Sequence, residues 1–233
     1  MRKIIVTLLL TLLGADAAAA ERRAVADISV DALQKDTQVV AAGDDRHHMT
    51  VVWWVPYEFW VAAMGRDAGT TQASKDAILA AVKGISLLAV VQADVSAMGA
   101  FNYYSEEAVA KGLLVTVTDP AGKARPATFV KKINPDLQVA LGVFKPILTS
   151  AMGNLGANLH FFVLDDRAGA ARAIDPYRRG ALAVKLAKAD GTPLAARIEM
   201  PLDSLFVPRT CPNGRPAHVT WRFCPWDGER LPD

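Results

Sequence analysis

Between residues 49 and 55 nearly every side chain is apolar, with the Val, Trp and Thr content of a β-strand. Pro56 is placed to end that strand or to open a helix over 57–64. Ser74, followed by Lys75, Asp76 and an apolar run over 77–82, reads as an N-capped helix stopped by Gly84, and 85–91 follows as a buried strand. Two short strands, 113–118 and 128–133, flank Asp119-Pro120-Ala121-Gly122-Lys123, whose proline and glycine suit a tight connection, so the pair is expected as a hairpin. Leu137, Ala140, Leu141, Phe144, Leu148 and Ala151 recur at three- and four-residue spacing and predict a helix over 135–152, which Pro146 must kink or split. Gly153 and Gly156 end it and lead into an apolar strand over 158–164. Residues 181–187 and 194–200 predict a second hairpin across Ala189-Asp190-Gly191-Thr192, and 219–223 a last short strand. Ahead of these elements, 21–46 is polar and Ala-rich, with at most a short helix or strand at 31–40.

Helices interleaved with hairpins predict an α+β fold, a mostly antiparallel sheet with two or three helices packed on it. An all-β sandwich is the alternative, because several of the helices are Ala-driven. No repeat or low-complexity linker divides the chain. The expected organisation is a leader at 1–20, a polar segment at 21–48, a single domain at 49–206 and a C-terminal tail at 207–233.

The leader changes the picture of where the chain folds. Arg2 and Lys3, an apolar run over 4–13 and small residues ending at Ala18-Ala19-Ala20 have the three parts of a cleavable secretory signal, with cleavage expected after Ala20. A cut after Ala17 is the alternative. Ten apolar residues are about half of the roughly 20 that a membrane-spanning helix needs, and no other run in the chain reaches that length. Cleavage would take the 26 basic and 24 acidic residues to 24 and 23, a balance with no electrostatic footprint for nucleic acid. The expected location is the periplasm or the exterior. There Cys211 and Cys224, the chain's two cysteines, are expected to form a disulfide around twelve intervening residues.

The same tail carries one family resemblance. Cys211-Pro212-Asn213-Gly214 and Trp221-Arg222-Phe223-Cys224-Pro225-Trp226-Asp227-Gly228 resemble a degenerate zinc ribbon, whose two knuckles each read Cys-Pro-x-Cys-Gly. The first cysteine of each knuckle is kept, and Gly214 and Asp227 stand where the second would be. A closed zinc site takes four ligands, and only Cys211, Cys224, Asp227 and His218 could be offered here, so no metal and no other cofactor is expected. The resemblance covers some twenty residues and implies nothing for the rest of the chain.

Trp53, Trp54, Tyr57, Phe59 and Trp60 crowd into eight residues. They read either as core at a strand-to-helix corner or as a stacking platform for a glycan or an envelope protein, and Trp53, Trp54, Tyr57 and Trp60 are the binding candidates. Asp44, Asp45, His47 and His48 have metal-ligand types, but adjacent histidines on an extended chain point to opposite sides. Gly-x-Ser-x-Gly and Ser-x-x-Lys are absent, so no catalytic residue is assigned. Glu106 and Glu107 beside Tyr103 and Tyr104 fit the capped start of a helix at Ser105 better than a pair of acids straddling a glycosidic bond. The expected function is a non-enzymatic binding or assembly module of the cell envelope. A hydrolase acting on cell-wall or polysaccharide material is the alternative, since carboxylates scattered in sequence leave no local signature.

Overall fold

The computed structural model describes residues 20–41, 47–168 and 171–231, with the backbone alone at 147, 148, 150 and 151. Residues 1–19 of the leader, and Asp44 and Asp45, lie outside the described residues. In chain order the main elements are α1 (Val30–Thr37), β1 (Gln38–Val40), β2 (His48–Val55), α2 (Tyr57–Arg66), α3 (Gln72–Ala81), β3 (Ile85–Val95), β4 (Phe101–Tyr103), α4 (Glu106–Gly112), β5 (Leu114–Thr118) and β6 (Ala124–Pro126). They continue with α5 (Pro135–Met152), α6 (Asn154–Ala157), β7 (His160–Asp165), β8 (Arg167–Ala168), β9 (Ala171–Arg172), β10 (Gly180–Ala187), β11 (Pro193–Met200), β12 (Arg209–Thr210) and β13 (Pro216–Ala217).

The fold is α+β, and among the described residues every strand pairing is antiparallel. In the main sheet β1, β2 and β3 are adjacent, and the far side of β3 is shared by β7 along residues 85–90 and β4 along 93–95. A second sheet runs β11-β10-β5-β6. Side chains alternate across a strand, so Trp53, Ala89 and Phe161, which are in register, share one face of the main sheet. That face is covered by helices. Phe144 of α5 lies 6.1 Å from Trp53, 4.7 Å from Trp60 and 6.0 Å from Phe161, and the Trp53 indole N–H donates to Thr37 Oγ1 of α1 at 3.2 Å. The other face meets the second sheet, where the Gln92 amide donates to the Ala187 carbonyl at 3.0 Å. β3 is thus enclosed on both sides, and Leu87 to Val91 are fully buried. In contrast β11, with one face in the core, alternates exposed and buried along its whole length.

Several expectations are corrected in detail. α3 is capped by Thr71, whose side chain accepts from Ser74 N–H, so Ser74 lies inside the helix it was expected to open. The partner of β5 is β6 at 124–126. Residues 128–130 instead join β7, with Val130 N–H donating to Val163 O and Asp165 N–H to Thr128 O. α5 runs through Pro146 as one helix, so the proline does not split it. The N–H that proline lacks would have bonded to the Gly142 carbonyl, so this one turn of the helix goes without its hydrogen bond. Residues 219–222 are turn and bend, Phe223 makes an isolated antiparallel bridge to Arg230, and the tail's short strands are β12 and β13. No helix among the described residues is long and apolar enough to cross a membrane.

Candidate functional site

Of the two readings of the aromatic cluster, core or platform, the structure shows core, and Trp53, Trp54, Tyr57 and Trp60 offer no open binding surface. Trp53, Trp54 and Trp60 are 2%, 0% and 4% exposed, and Tyr57 is half-buried against them. A stacking surface needs an open ring face. These rings instead pack edge to face, Trp53 on Phe59 at 5.2 Å and Phe59 on Trp60 at 6.5 Å.

Two polar constellations that sequence separation conceals are assembled at the edges of this core. In the first, His48 Nδ1 lies 2.8 Å from Asp94 Oδ1 and His48 Nε2 lies 2.9 Å from Thr50 Oγ1, the acid–imidazole–hydroxyl order of a nucleophilic triad. Thr50 is wholly buried, however, and the second sheet covers this face, so no substrate carbonyl reaches its oxygen. Donating Nδ1–H to Asp94 leaves Nε2 to accept from Thr50 and from the Gln92 amide at 3.3 Å. Tyr104 extends the network, donating to Asp94 at 3.1 Å and accepting from Ala189 N–H at 2.9 Å. Burial raises the Tyr104 phenol above its ordinary range, and the Asp94 carboxylate adds to that shift. The whole array ties the β10–β11 hairpin to the main sheet. Its one legible signal is spacing: His48 and Thr50 stand two apart on one face of β2, with Asp94 in register opposite His48.

In the second constellation Arg172 joins two carboxylates, reaching Glu58 Oε1 at 2.5 Å and Asp166 Oδ2 at 2.7 Å. Ile174 N–H donates to Asp166 Oδ1 at 2.6 Å. Burial raises the carboxyls of both Glu58 and Asp166, and Arg172 opposes the shift in each. Two acids therefore converge, but both are engaged by the guanidinium. Glu58 Oε2 is left buried and without a hydrogen-bond partner.

The tail is built from two turns of one design. Cys211 N–H donates to Arg215 O and Gly214 N–H to Cys211 O, with Gly214 at φ 79°. Cys224 N–H donates to Glu229 O and Gly228 N–H to Cys224 O, with Gly228 at φ 74°. Each turn opens on Cys-Pro and closes on a glycine in the left-handed region that other residues avoid. The two cysteines meet in a small separate core with Ala217 and Leu231. Both are buried free thiols in this structure, side by side where the sequence expects a bond. Burial pushes the Cys211 thiol up to about 11, with a further push from Cys224. The Asp227 carboxyl, which accepts from the Cys224 thiol and from Glu229 N–H, is held below its ordinary range. His218 is turned away to Thr220 and Asp203, at 2.8 and 3.5 Å. Among the described residues no three His, Cys, Asp or Glu side chains are grouped to hold a metal ion.

This small core leaves aromatic surface outside. Trp226 and Phe223 are 48% and 59% exposed. Trp226 stands edge-on to Trp221 at 5.6 Å, and the Arg215 guanidinium lies over its ring at 5.2 Å. Trp221 in turn meets His218 at 6.0 Å. The tail is pinned to the domain through Asp203, which accepts Val219 N–H at 2.7 Å. No protein-family model, no curated protein and no solved structure matches this chain.

Proposed function

We propose that the chain is an exported, non-enzymatic binding module of the cell envelope, and that its contact surface is the aromatic edge of the C-terminal tail, facing a glycan. The observation that carries this reading is the half-exposed Trp226 ring held by Trp221 and Arg215. With the Arg215 guanidinium over one side of the ring, the exposed remainder of Trp226 suits sugar rings, which stack their C–H faces and offer hydroxyls and carboxylates at their edges to a cationic donor. The leader supports export. In an oxidising compartment the adjoining Cys211 and Cys224 thiols pass two electrons and two protons to the disulfide of an oxidoreductase and become a cystine that staples the two turns. Burial and the raised thiol disfavour the thiolate that exchange requires, so oxidation precedes closure of the tail.

The hydrolase alternative needs a carboxylate pair open to substrate, and Glu58 and Asp166 are held by Arg172 instead. Co-sedimentation of the purified protein with isolated peptidoglycan tests the proposal. Binding that falls about tenfold in Trp226→Ala is expected, in line with one stacked ring contributing on the order of 1–2 kcal/mol. Sedimentation unchanged by that substitution, or release of soluble sugar fragments by the wild-type chain, would overturn it.

A further inference from the structure

Helix α5 is apolar on two sides. Its inner side, Leu137, Ala140 and Phe144, is buried in the core. On the outer side Val139 and Val143 are 68% and 53% exposed, and Gly142 and Pro146 are exposed between and beyond them. Positions 139, 142, 143 and 146 follow the spacing of a continuous helical stripe, and a helix that is apolar on both sides is normally covered on both. Beside the stripe, Leu141, Gly142, Lys145, Pro146, Thr149 and Phe161 line an open groove of about 740 Å³.

Charge says what covers this side. From Leu137 to Leu164 the chain has no Asp or Glu, and Lys145 is its one Lys or Arg. Lys131 and Lys132 stand exposed just ahead of the helix. The same side of the main sheet has a second apolar projection. Tyr103 pairs with Ala93 and Phe101 with Val95, and alternation along β3 puts these rings on the face that Phe161 and α5 occupy. Phe101 is 46% exposed and stacked on Tyr103 at 5.9 Å, and Met98 at the tip of the β3–β4 hairpin is 97% exposed. Residues 96–102 carry no charge. Asp136, exposed in the first turn of α5, is the one acid of the helix, and Lys131, Lys132 and Lys145 outnumber it along this side. An exposed apolar stripe, an uncharged hairpin tip and a net positive charge along the helix are what an interfacial segment presents to lipid: apolar groups enter the acyl boundary while lysines reach anionic headgroups. At 18 residues α5 is about 27 Å long, and it does not have the hydropathy to span a bilayer, so it lies along the surface.

We infer that the outer face of α5, with the Met98–Phe101 hairpin tip, docks on an anionic phospholipid bilayer. This surface is separate from the tail and does not depend on the tail's partner. The test is flotation of the cleaved chain with vesicles of phosphatidylcholine containing phosphatidylglycerol (~30 mol%, enough for a negative surface potential), against vesicles of phosphatidylcholine alone. Wild type and variants all begin at Glu21, after the expected cleavage, so the leader's apolar run takes no part. Partitioning to the anionic vesicles should fall about tenfold or more in the double variant Val139→Glu with Val143→Glu. It should fall about fivefold in Lys145→Glu and be largely lost with phosphatidylcholine alone. The conservative pair Val139→Leu with Val143→Leu should bind as wild type, and Trp226→Ala should leave partitioning unchanged. Equal binding to both vesicle types, binding indifferent to the double glutamate variant, or a lipid-free dimer that this variant dissociates would each overturn the inference.

Discussion

Trp53, Trp54 and Trp60 fall within eight residues of chain, and Trp221 and Trp226 within six, yet the first group is sealed in the core while Trp226 stands half in solvent. The difference lies in what surrounds each group. β2 is an inner strand with helices on one face and a second sheet on the other, so both of its faces are covered and even Trp54 is fully buried. The tail is two short turns around a four-residue core of Cys211, Ala217, Cys224 and Leu231. A unit that small cannot enclose large rings, and segments of its size lean on cross-links for stability. A tryptophan cluster is therefore a binding signal only where the local architecture is too thin to cover it.

Substitutions that probe the two groups should separate them by stability and by binding. The largest loss is expected for Trp53→Ala, about 3–5 kcal/mol by urea or thermal unfolding, because the site is enclosed on all sides and collapses little. A loss below about 1 kcal/mol would mean that the rings on β2 are not a packed core.

Next is Arg172→Ala, which strands the buried Glu58 and Asp166 carboxyls that hold α2 against the end of β7. Removing one partner of a buried ion cluster is expected to cost about 3–5 kcal/mol at neutral pH. Burial already raises both carboxyls above their ordinary values of 4.5 and 3.8. A raised carboxyl holds its proton more tightly in the folded state, so its contribution to stability is full below those ordinary values and is lost as pH climbs through the raised ones. Without Arg172 that rise is larger. Unfolding midpoints measured from neutral pH down to about pH 4 should therefore show the deficit of Arg172→Ala shrinking on acidification.

For the tail, Cys211→Ser and Cys224→Ser should each leave the main unfolding transition in place and speed proteolytic removal of the segment beyond Phe206. Intact mass of native material should be two hydrogens lighter than after reduction. Equal masses before and after reductant would remove the staple. The smallest stability change is expected for Trp226→Ala, about 0.5 kcal/mol, since its ring lies half in solvent. Its effect belongs in peptidoglycan retention instead, and a melting shift as large as that of Trp53→Ala would erase the contrast between the two groups.

Much of the architecture is readable along the chain where a local rule acts alone. β2, β3, β7 and the β10–β11 hairpin stand close to where apolar runs and turn residues place them, and α5 follows the three- and four-residue spacing from Leu137 to Phe144. Strand partners are less legible. Residues 128–130 have the composition of a strand but pair with β7 rather than folding back on β5, because pairing is chosen by what the finished sheet leaves open. The polar arrays were hidden for the same reason: Asp94 reaches His48 across 46 residues, and Arg172 reaches Glu58 across 114.

Composition and periodicity by themselves determined the α+β class and most of the helix and strand segments, since each rests on a backbone preference or a spacing of a few residues. Which tryptophans are buried, which acids are held by an arginine and which helix face is left apolar to solvent were decided only by the tertiary structure. Burial is a property of the neighbours a residue acquires, and those neighbours come from distant parts of the chain.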